Sequence, residues 1–460
     1  MLGFDADELE PLYEDMIRMV DRLPNQDEYR RVRHLLLLQQ SSGPTDDGGA
    51  ITDDQLSRVI PSCPHLETVD LTGVPETSDR TVVLLASHAT HLQGINLSGC
   101  TQVSEVGVLE LTNKSLPLRW IHLNGVVGLT DPSISAIAKS CSRLIELELC
   151  DLPLLSPVSV RDIWSFSRKL RTLRLARCSL LSDKAFPSII RPPSPTPSDG
   201  DDKPLPQIPG TWIEQMPPLV LHHTADNLRI LDLTNCKITD DAVEGIVCHA
   251  NKIQTLVLSG CSQLTDHSVE SICKLGGNLD VLMLARVANV TDRAMIMLAR
   301  SCPHLRCVDL AFCRNLTDMS VFELAGLKSL RRLSLVRVHK LTDIAMYALA
   351  EHAKGLERLH VSYCDRLSLE AIHLLLGNVE SLQHLTATGI PAFRRKGVHR
   401  FSERPPSNYD PEQKAAYCVF NGPNLAGLRG FLDKEAQRER DAETKNIPFV
   451  SRSDDKLDLY

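Results

Sequence analysis

One phrase, Leu-x-x-Leu-x-Leu-x-x-Cys, recurs along the chain at an almost constant interval. Its first leucine-type position returns every 25 or 26 residues, except for one step of 58 residues between Leu170 and Leu228. These positions are Leu66, Leu92, Leu118, Leu144, Leu170, Leu228, Ile253, Leu279, Leu305, Leu330, Leu356 and Leu382. The long step equals one period plus an insertion, and an additional first unit is predicted to start at Val32. Such a period indicates an array of similar units.

Each unit predicts a short strand followed by a helix. In the unit that begins at Leu305, Val308 and Leu310 alternate with a polar residue, as in a half-buried strand. Cys313 then turns inward in a tight bend. Either residue of the following Thr317-Asp318 pair can cap a helix, and apolar residues at helical spacing come next.

Successive strand–helix units of this length are typical of leucine-rich repeats. We therefore predict an α/β fold, a leucine-rich-repeat solenoid (horseshoe) with a parallel inner sheet and outer helices. Residues 32–390 should hold about 12–13 repeats. No single unit can bury its own core, so each copy completes the core of its neighbour.

Four segments depart from the period. Residues 1–31 are expected to form an N-terminal cap helix with Met19 on its apolar face, or alternatively a helix that binds a partner. Residues 191–224 read as a disordered Pro/Ser-rich insertion. Residues 391–432 should cap the C-terminal end with aromatic side chains, and residues 433–460 should be a charged flexible tail.

The insertion also contains Ser194 and Thr196, each followed by proline. Both are candidate sites for a proline-directed kinase, and an unmodified spacer is the simpler alternative.

The fourteen cysteines are predicted to be buried, reduced thiols. Six of them occupy the same place in the repeat: Cys100, Cys178, Cys236, Cys261, Cys313 and Cys364. No Cys-x-x-Cys pair occurs, which argues against a zinc site. The acidic start of the chain lacks the features of a secretory signal, and no apolar run reaches membrane-spanning length. We expect a cytoplasmic or nuclear protein, or both, without membrane contact.

Composition and motifs give no support for an enzyme. A phosphate loop, a dinucleotide-binding glycine motif, His-Glu-x-x-His and Gly-x-Ser-x-Gly are all missing from the sequence. The net charge of −8 argues against general nucleic-acid binding. We therefore predict a non-catalytic protein with no cofactor, no metal and no nucleic-acid partner.

The predicted concave face carries the candidate binding residues. Side chains between and just after the core leucines should point outward into the hollow, and seven of them are basic: Arg174, Arg177, Arg286, Arg332, Arg337, Arg358 and His360. Phe312 and Tyr363 should lie nearby. Arg286 and Arg337 occupy the same place two units apart, roughly 10 Å along the sheet. Such arginines suit carboxylate or phosphate groups, although an ordinary solvated surface is the alternative interpretation.

The extended phrase C-x-x-L-x-x-L-x-L-x-x-C-x-x-L-T-D resembles the cysteine-containing leucine-rich repeats of F-box proteins. The later segments "GIPAFRRKGVHRFSERPP" and "YDPEQKAAYCVFNGPNLAGLRGFL" resemble the fungal glucose-repression-resistance family. That resemblance implies a substrate-recognition subunit of an SCF-type (cullin-RING) ubiquitin ligase. It also implies phosphorylated or acidic protein partners, such as G1 cyclins, held by the basic residues named above.

One departure from that family concerns the F-box. Leu23-Pro24 resembles the opening of an F-box, but the chain runs directly from there into the first repeat. Residues 1–31 are therefore at most an F-box remnant, and a Skp1-type adaptor is expected as a partner only if an F-box lies upstream. The alternative is an F-box-less scaffold or inhibitor that binds its partner without the adaptor.

Overall fold

The computed structural model describes residues 19–37, 51–189 and 215–450. The chain divides between Lys252 and Ile253 into two compact units. Both are built from the predicted strand–helix repeats, with parallel strands along one side and helices along the other, so the predicted α/β leucine-rich-repeat fold is confirmed.

The first unit contains eight described strands, each paired in parallel with the next. They are β1 (Met19–Val20), β2 (His34–Leu36), β3 (Thr68–Asp70), β4 (Gly94–Asn96), β5 (Trp120–His122), β6 (Glu146–Glu148), β7 (Thr172–Arg174) and β8 (Ile230–Asp232). Its described α-helices are α1 (Asp53–Val59), α2 (Asp79–His88), α3 (Glu105–Asn113), α4 (Asp131–Ser140), α5 (Pro157–Phe166) and α6 (Asp240–His249).

The second unit continues the pattern with six parallel strands and closes with an antiparallel one. Its strands are β9 (Thr255–Val257), β10 (Val281–Met283), β11 (Cys307–Asp309), β12 (Arg332–Ser334), β13 (Arg358–His360), β14 (His384–Thr386) and β15 (Val419–Asn421). Its α-helices are α7 (Asp266–Ile272), α8 (Asp292–Ser301), α9 (Asp318–Ala325), α10 (Asp343–His352), α11 (Leu369–Asn378), α12 (Lys396–His399), α13 (Pro411–Ala416) and α14 (Gly422–Thr444).

The leucine-type positions of the phrase form the core of each unit. The central residue of every repeat strand points inward and is fully or almost fully buried, as for Leu173, Val308 and Leu333. The flanking strand residues point to the opposite side, because successive side chains of a strand alternate between its faces. The strand residues before and after each buried central residue therefore form two polar columns along the sheet.

Hydrogen bonds from each helix start to the next also join neighbouring repeats. Thr317 caps α9, and Asp318 is its first helical residue. The Asp292 carboxylate at the start of α8 accepts hydrogen bonds from the Thr317 backbone N–H at 2.9 Å and from its hydroxyl at 2.7 Å. Equivalent carboxylate bonds recur in both units, at Asp79–Ser104, Asp131–Ser156, Asp183–Thr239, Asp266–Thr291 and Asp318–Thr342.

The repeat cysteines form a second bond between neighbouring repeats. None of the fourteen cysteines forms a disulfide bond, and the six in the repeat phrase are buried, as predicted. The prediction of burial is wrong for Cys248, which is exposed, and for Cys273 and Cys307, which are half-buried. The Cys313 thiol donates to the Leu284 carbonyl of the preceding repeat over 3.2 Å, and Cys364 does the same to Leu335. Burial raises the pKa of both thiols to about 12, so they stay protonated donors.

The end of the long insertion folds back onto the first unit. Residues 190–214, including Ser194 and Thr196, lie outside the described residues. The Arg161 guanidinium donates to the Pro217 carbonyl at 2.7 Å, and a parallel bridge joins Pro187 to Leu219. The prediction of a disordered insertion is therefore wrong for residues 215–224, which these bonds hold on the repeats of the first unit.

Both termini of the described chain differ from the sequence expectation. Met19 and Val20 form a strand instead of a helix, because their backbone pairs with the open edge of β2. Residues 21–31 form turns and irregular backbone, so the cap helix predicted within residues 1–31 is wrong for residues 19–31, and residues 1–18 lie outside the described residues. At the other end, α14 extends through residues 433–444, which were expected to be flexible.

The aromatic residues of the C-terminal segment cover the last repeat. Phe393 and Phe420 are fully buried, with ring centres 5.9 Å apart.

Among the described helices, none has both the length and the apolar character needed to cross a membrane.

Substitution of Asp292 tests the carboxylate bonds between repeats. Burial alone would raise the pKa of Asp292, but hydrogen bonds from Ser320 and Thr317 outweigh it and hold the pKa below its ordinary value. We expect Asp292→Asn to lower the free energy of unfolding by about 1–2 kcal/mol at pH 7. The deficit should shrink as pH falls through the lowered pKa of the folded protein, because a protonated Asp292 no longer has the negative charge that strengthens these hydrogen bonds. Denaturant unfolding across pH measures this. The exposed Asp365, replaced by Asn, is the control, and equal losses in both variants would contradict the prediction.

Thiol alkylation tests the buried cysteines. In the folded protein, iodoacetamide should modify Cys248 first, because it is exposed, whereas the six repeat cysteines are buried and protonated. Mass spectrometry after timed labelling, with and without denaturant, gives the order. Modification of Cys313 at the rate of Cys248 in native buffer would contradict the prediction, because it would show that a repeat cysteine is accessible to the reagent.

Candidate functional site

The strands of the second unit bring two of the predicted arginines side by side. Arg332 and Arg358 are the first residues of β12 and β13, and they are direct partners in the parallel register. Both side chains are exposed on the face opposite the buried leucines. Ser334 and His360 are partners in the same way at the other end of these strands.

Arg286 and Arg337 lie on the same face, three residues beyond the ends of their strands. Each guanidinium contacts the ring of Phe312, which occupies the equivalent place in the repeat between them: the Arg286 Cζ lies 5.3 Å and the Arg337 Cζ 5.4 Å from the ring centre. The Arg337 Cζ is also 4.6 Å from the ring centre of Tyr363, one repeat further on. Cations at this distance are attracted to the negative face of an aromatic ring.

Small side chains separate these two arginine pairs. Between the ends of the strands and the repeat position that Phe312 occupies lie four residues from four successive repeats: Ala285, Ala311, Val336 and Ser362. Arg332 and Arg337 are five residues apart, so the Cα atoms of the two arginines are at most about 18 Å apart. Arginines therefore flank a strip of smaller side chains, and we call this strip with its flanking arginines the channel.

The four arginines of this channel have no acidic partner in the described ranges. No carboxylate there comes within salt-bridge distance of Arg286, Arg332, Arg337 or Arg358. The acid inside the channel, Asp309, accepts a hydrogen bond from the backbone N–H of Ala311 at 3.0 Å. Four cations against one carboxylate make this face of the second unit electropositive, although the whole chain carries a net charge of −8.

His360 is half-buried in the channel and has a lowered pKa. Burial is the largest cause, and the neighbouring His384 and Arg358 lower the pKa further, while Asp309 opposes them. The rings of His360 and His384 are 4.9 Å apart. At neutral pH the positive charge of the channel therefore comes from arginine rather than from His360.

The remaining two predicted residues, Arg174 and Arg177, lie in the first unit and are paired. The Arg174 Nε is 3.1 Å from a Glu148 oxygen, and Arg177 binds both oxygens of Asp151 at 2.5 Å. The hydrogen bond from Arg177 lowers the pKa of Asp151, and the same bond raises the pKa of Arg177. Because these charges are already compensated, the two arginines are weaker candidates for anion binding than those of the second unit.

Two further features were not predicted. Phe312 and Tyr363 contact arginine side chains that occupy the equivalent position in neighbouring repeats. This shared repeat position was the sequence signal from which the contact could have been predicted. In the first unit, His122 Nε2 lies 3.1 Å from Glu146 and 4.0 Å from Glu148. These three side chains could hold a metal ion. However, Glu148 also binds Arg174 and the Asn124 amide, so Arg174 already compensates part of the negative charge of Glu148.

Comparisons with known proteins agree with the repeat architecture. A family model described as "Leucine Rich repeat" matches residues 226–247 and 301–325. A solved structure described as "Crystal structure of Rad7 and Elc1 complex in yeast" contains a chain that superposes with a TM-score of 0.53 at 20% identity. The match covers 71% of this chain and 76% of that chain. This similarity concerns the fold alone.

A sequence relative carries a functional description. The "SCF E3 ubiquitin ligase complex F-box protein pof2" of Schizosaccharomyces pombe is 32% identical over 110 residues, which are 24% of this chain and 24% of that protein. The match thus spans about a quarter of the relative. The chain has the leucine-rich-repeat fold and is similar, over about a quarter of its length, to an F-box protein. The narrower resemblance to the glucose-repression-resistance family stays a prediction.

Titration of His360 tests the electrostatics of the channel. Arg358→Ala should raise the pKa of His360 because a repelling cation is removed, and Asp309→Asn should lower it because an attracting anion is removed. Histidine NMR signals followed from pH 4 to 8 measure both shifts. Shifts of the same sign in the two variants would contradict the charge arrangement described above.

Proposed function

We propose that this chain is a substrate-recognition subunit of an SCF-type (cullin-RING) ubiquitin ligase. In this role it binds phosphorylated proteins in the channel of the second unit and catalyses no reaction itself. The observation that carries the proposal is the set of four exposed arginines without an acidic partner in the described chain: Arg286, Arg332, Arg337 and Arg358.

Phosphate suits this channel better than a single carboxylate does. A phosphorylated side chain brings about −1.5 to −2 charges and three acceptor oxygens, and a guanidinium can donate two parallel hydrogen bonds to it. Unmodified partners lack this charge, so their affinity should be much lower. Recognition would thus be switched on by a kinase, with His360 contributing little charge near pH 7.

The ligase assignment is supported by the partial match to an F-box protein and by the cysteine-containing repeat phrase. A stack of repeats offers a long, rigid surface on which a substrate can be held while other subunits act on it. Rigid presentation by a binding subunit requires no catalytic group in this chain.

A scaffold or inhibitor that binds its partner without the ligase adaptor is the second candidate. The match covers only a quarter of the F-box relative, so it does not by itself extend the ligase role of that protein to this chain. The same channel would bind the same phosphorylated partners, so the two candidates differ only in adaptor association.

Arginine substitutions test the binding surface. The triple variant Arg286→Ala, Arg337→Ala, Arg358→Ala should bind phosphoserine peptides at least tenfold more weakly, a change of about 1.4 kcal/mol. Its affinity should also depend less on salt, because fewer charges take part. Fluorescence anisotropy with phosphorylated and unphosphorylated copies of one peptide, from 50 to 500 mM salt, measures both effects.

Arg174 and Arg177 provide the matched control, because both are already paired with carboxylates. Their double alanine variant should keep the affinity and the salt dependence of the wild type. If the triple variant behaves like this control, the channel does not bind phosphate. Co-precipitation of the full-length native protein with a Skp1-type adaptor then separates the two candidates, since the scaffold would not associate.

A further inference from the structure

One backbone position in each repeat adopts a left-handed conformation. It directly precedes the cysteine, or the apolar residue that replaces it, and in five repeats it is glycine: Gly73, Gly99, Gly125, Gly260 and Gly389, with φ between 71° and 78°. Glycine is expected here, because a Cβ atom makes positive φ unfavourable. Four successive repeats of the second unit carry bulky residues instead: Arg286, Phe312, Arg337 and Tyr363, with φ between 57° and 64°.

The non-glycine residues of the first unit at this position have local explanations. Asn235 tolerates the conformation better than most residues do. Asp151 and Arg177 occupy it in neighbouring repeats and compensate each other as an ion pair. Arg286 and Arg337 have no such partner in the described chain. A strained conformation kept in four adjacent repeats points to a function for those side chains.

The four side chains form one continuous stack. Arg286 and Arg337 both lie against Phe312, Arg337 also lies against Tyr363, and the Tyr363 ring covers Gly389. A Cβ atom on Gly389 would lie 2.4 Å from the Tyr363 ring, so the glycine leaves the space that this ring fills. We call Arg286, Phe312, Arg337 and Tyr363 the stacked column.

Stacking fixes each guanidinium while leaving its hydrogen-bond donors available. The contact with a ring uses the flat face of the guanidinium, whereas phosphate oxygens bind in its plane. The immobilised side chain then loses less rotamer freedom when a ligand binds. Phe312 therefore acts as a spacer that holds two anion-binding groups at a set separation.

That separation exceeds what one phosphate can bridge. The two arginines are two strands apart, about 10 Å at a strand spacing of ~4.8 Å, whereas each hydrogen bond to phosphate is only about 2.7–2.9 Å long. A peptide in the polyproline II conformation advances about 3.1 Å per residue with three residues per turn, so two side chains three residues apart lie on the same side, about 9 Å apart, and match the distance.

We infer that the stacked column recognises doubly phosphorylated peptide segments whose two phosphates are three residues apart. The inference rests on the proposed function, which it narrows from phosphorylated proteins in general to one spacing of two phosphates.

A series of synthetic peptides tests the spacing. Flexible Gly/Ala peptides would carry one phosphoserine, or two phosphoserines at positions i and i+1, i and i+3, or i and i+6. We call the second of these double peptides the three-position peptide. The three-position peptide should bind the full-length chain at least tenfold more tightly than the singly phosphorylated one, and more tightly than the other two spacings. Equal affinity for all three doubly phosphorylated peptides would overturn the inference.

Two variants at one residue separate binding from folding. Arg337→Gly and Arg337→Ala both remove the guanidinium, but only glycine relieves the left-handed backbone. Both should lose the preference for the three-position spacing, and Arg337→Gly should unfold at a temperature no lower than Arg337→Ala. If Arg337→Gly keeps the spacing preference, the column is a structural element only.

Arg332→Ala distinguishes this inference from the proposed function. It lies outside the column and should weaken all phosphorylated peptides by a similar factor without changing the preferred spacing. If phosphopeptides bind but show no preferred spacing, the proposed function stands and the column inference fails. If no phosphopeptide binds the wild-type chain above its unphosphorylated copy, both fail.

Discussion

The hydrogen bonds that join each repeat to its neighbours determine everything else in this structure. Strand backbones, helix-start carboxylates and buried thiols all bond across the same junction, as at Asp292–Thr317 and Cys313–Leu284. Each of these groups would be a costly unsatisfied polar group if its neighbour were missing. The register between repeats is therefore fixed, and with it the positions of the surface side chains.

Fixed register makes much of the fold predictable from the period alone. The burial of Val308 and the helix cap at Thr317 could be predicted because each residue has an equivalent in nearly every other repeat. The strand at Met19 could not be predicted in this way. Its apolar spacing suits a helix, but the unpaired backbone of β2 offers hydrogen bonds that local sequence does not encode. Tertiary pairing there outweighs local preference.

The candidate site was predictable in position but not in its charge balance. The period correctly places all six arginines on the polar side of the repeats, yet it does not show which of them are neutralised. That depends on the neighbouring repeat: Glu148 is the direct register partner of Arg174, whereas Arg332 faces another arginine, Arg358. Reading the sequence across aligned repeats, rather than along the chain, would have shown this difference.

The left-handed position allows a repeat protein to change a surface side chain at little cost to its fold. Glycine there serves the bend, as at Gly260, and at Gly389 it also leaves room for the Tyr363 ring. Replacing it by arginine or an aromatic residue strains one residue per repeat, but leaves the buried leucines and the cysteine bond unchanged. Since strain at one bend does not alter its neighbours' cores, several adjacent repeats can carry such residues together. Only adjacency allows Arg337 to stack between Phe312 and Tyr363.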